Sequence, residues 1–254
     1  MGGGISMDLY YEVNGHGHPV VLLTGGADVR NWTFMVPLLA KHYKVVACDG
    51  RGTGKSPVPL EDVNPVKDLL SLLDHLEISQ ATLIGHSMGG QIATEFALNY
   101  PERVSKLVLL APGLSGFTYS KEFEENMKKI HQAAPDIDKM VEILLSDPSY
   151  CVLTMSPHRG LMVQMLKHHM NRMFEWPAVK LIWQQPLAIE RLGELTTKTL
   201  LIIGKEDSPD NLRVADYFRK HSDARIIEIP GADHMVNLTH PEKLYHHIND
   251  FMKE

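Results

Sequence analysis

Cysteine is scarce in this chain: 2 of 254 residues, Cys48 and Cys151. Two thiols supply neither a disulfide framework nor a four-ligand zinc site on their own. Basic residues are in deficit as well, 25 Lys plus Arg against 31 Asp plus Glu, for a formal charge of −6. No cationic excess is available to neutralise a nucleic-acid backbone or an anionic bilayer, so neither is expected as a partner. Long apolar runs are missing too. Stretches such as Pro19-Val20-Val21-Leu22-Leu23 stop far short of the roughly 20 residues of a membrane-spanning helix. Met1-Gly2-Gly3-Gly4 offers no charged segment followed by an apolar one, so a cytoplasmic protein is expected. The remaining composition, 44% hydrophobic and 22% charged, excludes disorder and fibrous repeats.

What the sequence does have is alternation. Leu9–Val13, Val20–Leu23, Lys44–Cys48, Ala81–Ile84 and Lys106–Leu110 read as short apolar strands. Between them, Trp32–Ala40, Asp68–Leu76 and Gln91–Asn99 carry apolar residues at helical spacing, clearest in Leu69, Leu72, Leu73 and Leu76. Strands alternating with helices predict a mostly parallel sheet covered on both faces. From Ser115 to about Ile189 the pattern is helical only, cut by five prolines. Thr199–Ile203, Asn211–His221, Arg225–Ile229 and Pro241–Met252 then restore strand, helix, strand, helix. The organisation predicted is an α/β core over 1–114 and 191–254, with an all-helical cap over 115–190.

The segment Gly85-His86-Ser87-Met88-Gly89 places G-x-S-x-G between a strand and a helix, the context in which that motif carries chemistry. The turn strains the serine backbone and lifts its hydroxyl above the sheet. Gly85 and Gly89 remove flanking clashes, and Gly90 lets the next helix pack closely. A serine hydroxyl needs a base, and the base needs an orienting acid. In chain order these fall on later strand ends: Asp207 after Thr199–Ile203, and His234 in the loop after Arg225–Ile229. Glu206, Asp210 and Asp233 are competing acids, and a solvated loop face is the plainer reading of all three.

Taken in order, Val21 to Gly26, Asp49 to Ser56, Gly85 to Gly90, Gly204 to Asp207 and Gly231 to His234 with Pro241-Glu242 resemble the α/β-hydrolase family, in its group of small capped esterases. The resemblance implies Ser87 as nucleophile, Asp207 as orienting acid and His234 as general base. It implies an oxyanion hole of the Met88 and Gly26 backbone N–H groups, the latter in the loop after the third strand. It also implies hydrolysis of a small apolar ester or lactone without metal or organic cofactor. Acyl-homoserine lactonases and C–C bond hydrolases share this triad, and small-molecule receptors share the fold. Some members place the acid after the sixth strand; the matching Ala111-Pro112-Gly113 has no carboxylate. The chain departs from the family at Thr24-Gly25, where His-Gly is usual.

Other features have plainer readings. Gly54-Lys55-Ser56 ends like a phosphate-binding loop, but that pattern needs glycine where Asp49 stands. His86 is expected as a neutral packed histidine, the pair His168 and His169 as helix surface, and Cys48 as a buried small apolar residue. No histidines show metal-ligand spacing. Met162, Met165, Leu166, His169 and Met173 share one helical face; a packing stripe and an adaptable pocket lining explain it equally well.

Overall fold

The computed structural model describes residues 7–254; the Met1–Gly4 reading lies outside them. Among these residues the strands are β1 (Tyr11–Asn14), β2 (Pro19–Leu23), β3 (Lys44–Cys48), β4 (Ala81–His86), β5 (Val104–Leu110), β6 (Thr199–Gly204) and β7 (Arg225–Ile229). They form a seven-stranded sheet in the order β1-β3-β2-β4-β5-β6-β7. β1 is antiparallel to β3 and every other pair is parallel. Gly26 therefore follows the second strand rather than the third, and Ala111–Gly113 the fifth rather than the sixth, because a single antiparallel edge strand precedes β2.

Side chains alternate across this sheet, as period-2 geometry requires. Val21, Leu23, Leu83, Leu107, Leu109, Leu201 and Ile203 pack on one face, against α2 (Pro65–His75), α3 (Met88–Asn99) and α9 (Pro209–His221). Val20, Leu22, Ile84, Val108, Leu110 and Ile202 pack on the other, against α1 (Val36–Leu39), α10 (Val236–Thr239) and α11 (Pro241–Lys253). The expected Trp32–Ala40 helix is split into a 3₁₀ turn, Val29–Trp32, and the short α1. Pro37 has no N–H to bond back to Thr33, so the helix starts afresh at Val36.

The insertion carries α4 (Lys121–Ala133), α5 (Ile137–Leu145), α6 (Cys151–Thr154), α7 (Arg159–Met173) and α8 (Ala188–Arg191). It is not helical throughout, since residues 174–187 run without a helix between Pro177 and Pro186. Instead Val63 bridges to this stretch, its N–H on Lys180 O at 2.8 Å and its carbonyl taking Ile182 N–H at 2.7 Å. At the base of the cap, the buried Glu95 of α3 ties both ends of the insertion: its Oε1 accepts from the Ser115 hydroxyl and, at 3.0 Å, from Ala188 N–H.

β2 leads left to β3, and the chain then returns across β2 to β4. The C-terminal ends of β2 and β4, paired at Leu23 and Gly85, thus flank the point where the winding reverses, the crevice where ligands bind in sheets of this kind.

Candidate active site

Ser87 stands where β4 turns into α3, with φ 55° and ψ −121°. Left-handed φ is rare for a residue with a Cβ and persists only where surroundings enforce it. Here Ser87 N–H donates to Leu110 O at 3.0 Å, while its carbonyl accepts from Gly90 at 2.9 Å and from Gly113 at 2.9 Å. The glycines are steric necessities. A Cβ on Gly85 would stand 2.3 Å from Gly89 O, on Gly89 2.2 Å from Leu23 O, and on Gly90 2.6 Å from Pro112 Cβ. Because α3 starts directly at Met88, and not at Gln91 as periodicity suggested, its first N–H groups point into the crevice.

Asp207 and His234 meet there from β6 and β7. His234 Nδ1–H donates to Asp207 Oδ2 at 3.0 Å. Asp207 Oδ1 accepts from Ser208 N–H and from the Asn211 amide, both at 2.7 Å. Burial opposes the Asp207 charge, yet His234 and these hydrogen bonds overcome it and lower the pKa below 3.8. Burial likewise depresses His234, but the Asp207 carboxylate reverses that and raises it above 6.5. Of the rival acids only Glu206 has the solvated position expected of all three; Asp210 and Asp233 are buried and engaged elsewhere. Asp210 accepts from Ser120 Oγ at 2.7 Å. Asp233 caps α6 through Val152 and Leu153 N–H at 2.8 and 2.7 Å.

His86 sets Ser87 and His234 side by side. Its Nε2–H donates to the His234 carbonyl at 2.8 Å, and the two rings lie 4.9 Å apart. Among the described residues, Ser87 Oγ and His234 Nε2 make no hydrogen bond to each other or to any other group. Burial pushes the His86 pKa down to about 3, so its Nδ1 is an acceptor and takes the Asn31 amide at 3.2 Å. The same amide donates to Thr24 Oγ1 at 3.1 Å, and Asn237 donates to Asn31 O at 2.6 Å. This is how the loop after β2 is held without the usual histidine. A Cβ on Gly25 would lie 2.3 Å from Met88 Cβ, so Thr24-Gly25-Gly26 presses against the serine turn, with Gly26 at φ +68°.

Asn31, Asn211 and Asn237 are the residues that sequence reading missed. Only Asn211 left a trace, four residues after Asp207 at the start of α9. Asp49 rules out the phosphate-loop likeness structurally, since its carboxylate accepts Lys55 and Val29 N–H at 2.9 and 2.8 Å. Cys48 is buried, its thiol pushed up to about 12 by burial. His169, expected at the helix surface, instead turns toward a cavity that it lines with Met173 and Trp176. Met162, Met165, Leu166 and Met170 form the cap's own core, so the stripe serves packing along one part and lining along another. Among the described residues, no three His, Cys, Asp or Glu side chains gather as a metal site, and no helix is long and apolar enough to cross a membrane.

A family model described as alpha/beta hydrolase fold matches residues 18–137. The chain is 31% identical to a 2-hydroxy-6-oxononadienedioate/2-hydroxy-6-oxononatrienedioate hydrolase of Comamonas testosteroni, over 76% of this chain and 72% of that protein. It is 28% identical, over 96% of its length, to a dihydrolipoyllysine-residue acetyltransferase component of an acetoin cleaving system of Pseudomonas putida. The chain spans 66% of that longer relative. Among solved structures, MenH from S. aureus superposes with a TM-score of 0.80 at 20% identity, over 96% of this chain and 98% of that one.

Proposed function

Since the chain belongs to the α/β-hydrolase family, we propose that it is a serine hydrolase of small apolar carboxylic esters, working through an acyl-enzyme on Ser87. The observation that carries this reading is the Asp207–His234 pair beside a serine held at φ 55°. His234 Nε2 takes the Ser87 proton as Oγ attacks the carbonyl carbon. The Met88 and Gly26 N–H groups receive the developing oxyanion, each worth about 3 kcal/mol of barrier. His234, protonated and steadied by Asp207, returns the proton to the departing alcohol. Water, deprotonated by the same imidazole, then releases the acid and restores the serine.

A C–C bond reading draws on the Comamonas relative, whose name denotes a dicarboxylate substrate. Against it, Arg51, the cationic side chain lining the cavity, is already bound by Asp8 at 3.0 Å and by Asp68 at 3.1 Å. A second carboxylate would find no free partner there. This argues against a dicarboxylate. A dienoate with one carboxylate and an apolar tail, as named for another relative, is separated from the neutral ester, and from lactones as its cyclic case, by the substrate panel below.

A fluorophosphonate probe should label the protein, and Ser87→Ala should abolish both labelling and hydrolysis of p-nitrophenyl acetate. Persistent labelling of the alanine variant would reject Ser87 as the nucleophile. A panel of esters, lactones and 2-hydroxy-6-oxo dienoates then ranks the substrate classes by kcat/KM.

A further inference from the structure

Next to the serine turn lies a cavity of about 240 Å³, bounded by Leu23, Thr24 and Met88 of the core and by His169, Met173 and Trp176 of the cap region. It exceeds the roughly 150 Å³ of an apolar cavity that takes up benzene. An aryl ring with a substituent or a medium-length alkyl chain fits such a space, and its walls are almost wholly apolar.

The polar groups in those walls are nearly all committed within the protein. The Arg51 guanidinium is forked onto both Asp8 and Asp68. The Trp176 indole donates to Gly52 O at 3.1 Å, the Thr53 hydroxyl to Gly50 O at 2.8 Å, and the Cys48 thiol to Leu22 O at 3.9 Å. Thr24 Oγ1 accepts from Asn31. His169 is the exception. Its Nδ1 is sealed from solvent without a partner, and its Nε2, also without a protein partner, is not sealed. A buried N–H lacking an acceptor is rarer than a lone pair lacking a donor. The proton therefore sits on Nε2, the nitrogen that is not sealed. Burial keeps the ring neutral by lowering its pKa, with Asp28 opposing more weakly.

We infer that His169 is a specificity-determining residue, whose Nε2–H reads one neutral acceptor oxygen, a carbonyl or an ether, on the otherwise apolar tail of the substrate. The inference rests on the hydrolase reading above and narrows it to esters or lactones whose tail is neutral and carries a single oxygen. An anionic tail is rejected, because the two carboxylates on Arg51 repel it and no cation is left over. A purely hydrocarbon tail is accepted but leaves the imidazole N–H without a partner, the arrangement that discriminates best between substrates with and without the oxygen.

The test compares p-nitrophenyl hexanoate with its oxa and oxo analogues for the acyl half, and hexyl acetate with its oxa and oxo analogues for the alcohol half. In one of the two series the wild type prefers the oxygen-bearing tail. His169→Leu lowers that preference about tenfold, one hydrogen bond's worth, and His169→Gln, which keeps a donor, restores most of it. Hydrolysis of methyl acetate, which has neither an aryl ring nor a tail to enter the cavity, gives the reference rate against which each preference is taken. If His169→Leu leaves the preference intact in both series, or slows all substrates alike including the acetate, the inference fails. Failure of the hydrolase reading shows separately, as acetate hydrolysis that is absent from the wild type or survives Ser87→Ala. In that case calorimetric binding of hexanamide against 3-ethoxypropanamide, with the same two variants, decides the role of His169 without turnover.

Discussion

At the scale of single residues, the Asp207–His234 pair sets a pH dependence whose sign follows from its two shifts. His234 accepts a proton only when neutral, and its pKa stands above 6.5. The acid limb of kcat/KM should therefore lie above 6.5, with full activity on the alkaline side. Asp207→Asn removes the charge that raises it, so the limb should move to lower pH while the rate falls by about 10⁴. Rate measurements from pH 5 to 9 on both proteins check this; an unmoved limb would assign the titration to another group. Stability runs the opposite way for the histidine. A raised folded-state pKa contributes stability that is complete below 6.5 and is lost as pH rises through the folded value. Asp207, lowered from 3.8, contributes above that value and loses its share as pH falls through its folded pKa. The chain is thus most strongly held by this pair where its histidine is charged and its chemistry is off.

At the scale of elements, the fold was legible wherever local chemistry decides geometry. The strand–glycine turn–helix of β4 and α3 is written in Gly85, Gly89 and Gly90, each of which leaves no room for a methyl group. Asp207 and His234 were legible through their positions after strands. Other features depend on contacts between distant segments. The stretch 174–187 is held by Val63, more than a hundred residues earlier. His169 turns inward because α7 lies across the loop of residues 50–56, with Arg172 donating to Ser56 O at 2.6 Å and His168 paired to Gly54 O at 3.1 Å. The Asn31–His86–Thr24 network needs β2 and β4 side by side before any of its spacings makes sense. The Glu95 clasp is of the same kind. Glu95→Leu leaves the buried Ser115 hydroxyl proton without an acceptor and Ala188 N–H with Ser115 Oγ alone, at a cost of about 1–3 kcal/mol. Glu95→Gln keeps an acceptor oxygen and should cost less. Thermal melting ranks the two, and equal melting temperatures would show that the clasp contributes nothing.

At the scale of the molecule, cap and core share residues rather than merely touching. The cap's apolar cluster includes Ala27, from the loop after β2, together with Met235 and Leu238, which follow His234. Loss of cap packing therefore reaches both the loop after β2 and the His234 imidazole. Met165, fully buried in that cluster, is the place to test it. Met165→Ala should cost about 2–5 kcal/mol and lower one calorimetric transition, with activity lost over the same temperatures. Two resolved transitions would mean that the cap melts on its own. The net charge of −6 and the exposed ion pairs of α9, such as Arg219 with Asp216 and Glu228, add little to this cohesion, since solvent screens exposed pairs.

Met88 belongs to two compartments at once. Its main chain opens the helix behind the serine, while the residue also forms part of the neighbouring cavity wall. A change of side chain there can resize the cavity while leaving the peptide amide where it was. On the proposed hydrolase reading, chain-length preference can therefore drift through one codon without the serine, histidine and aspartate being moved.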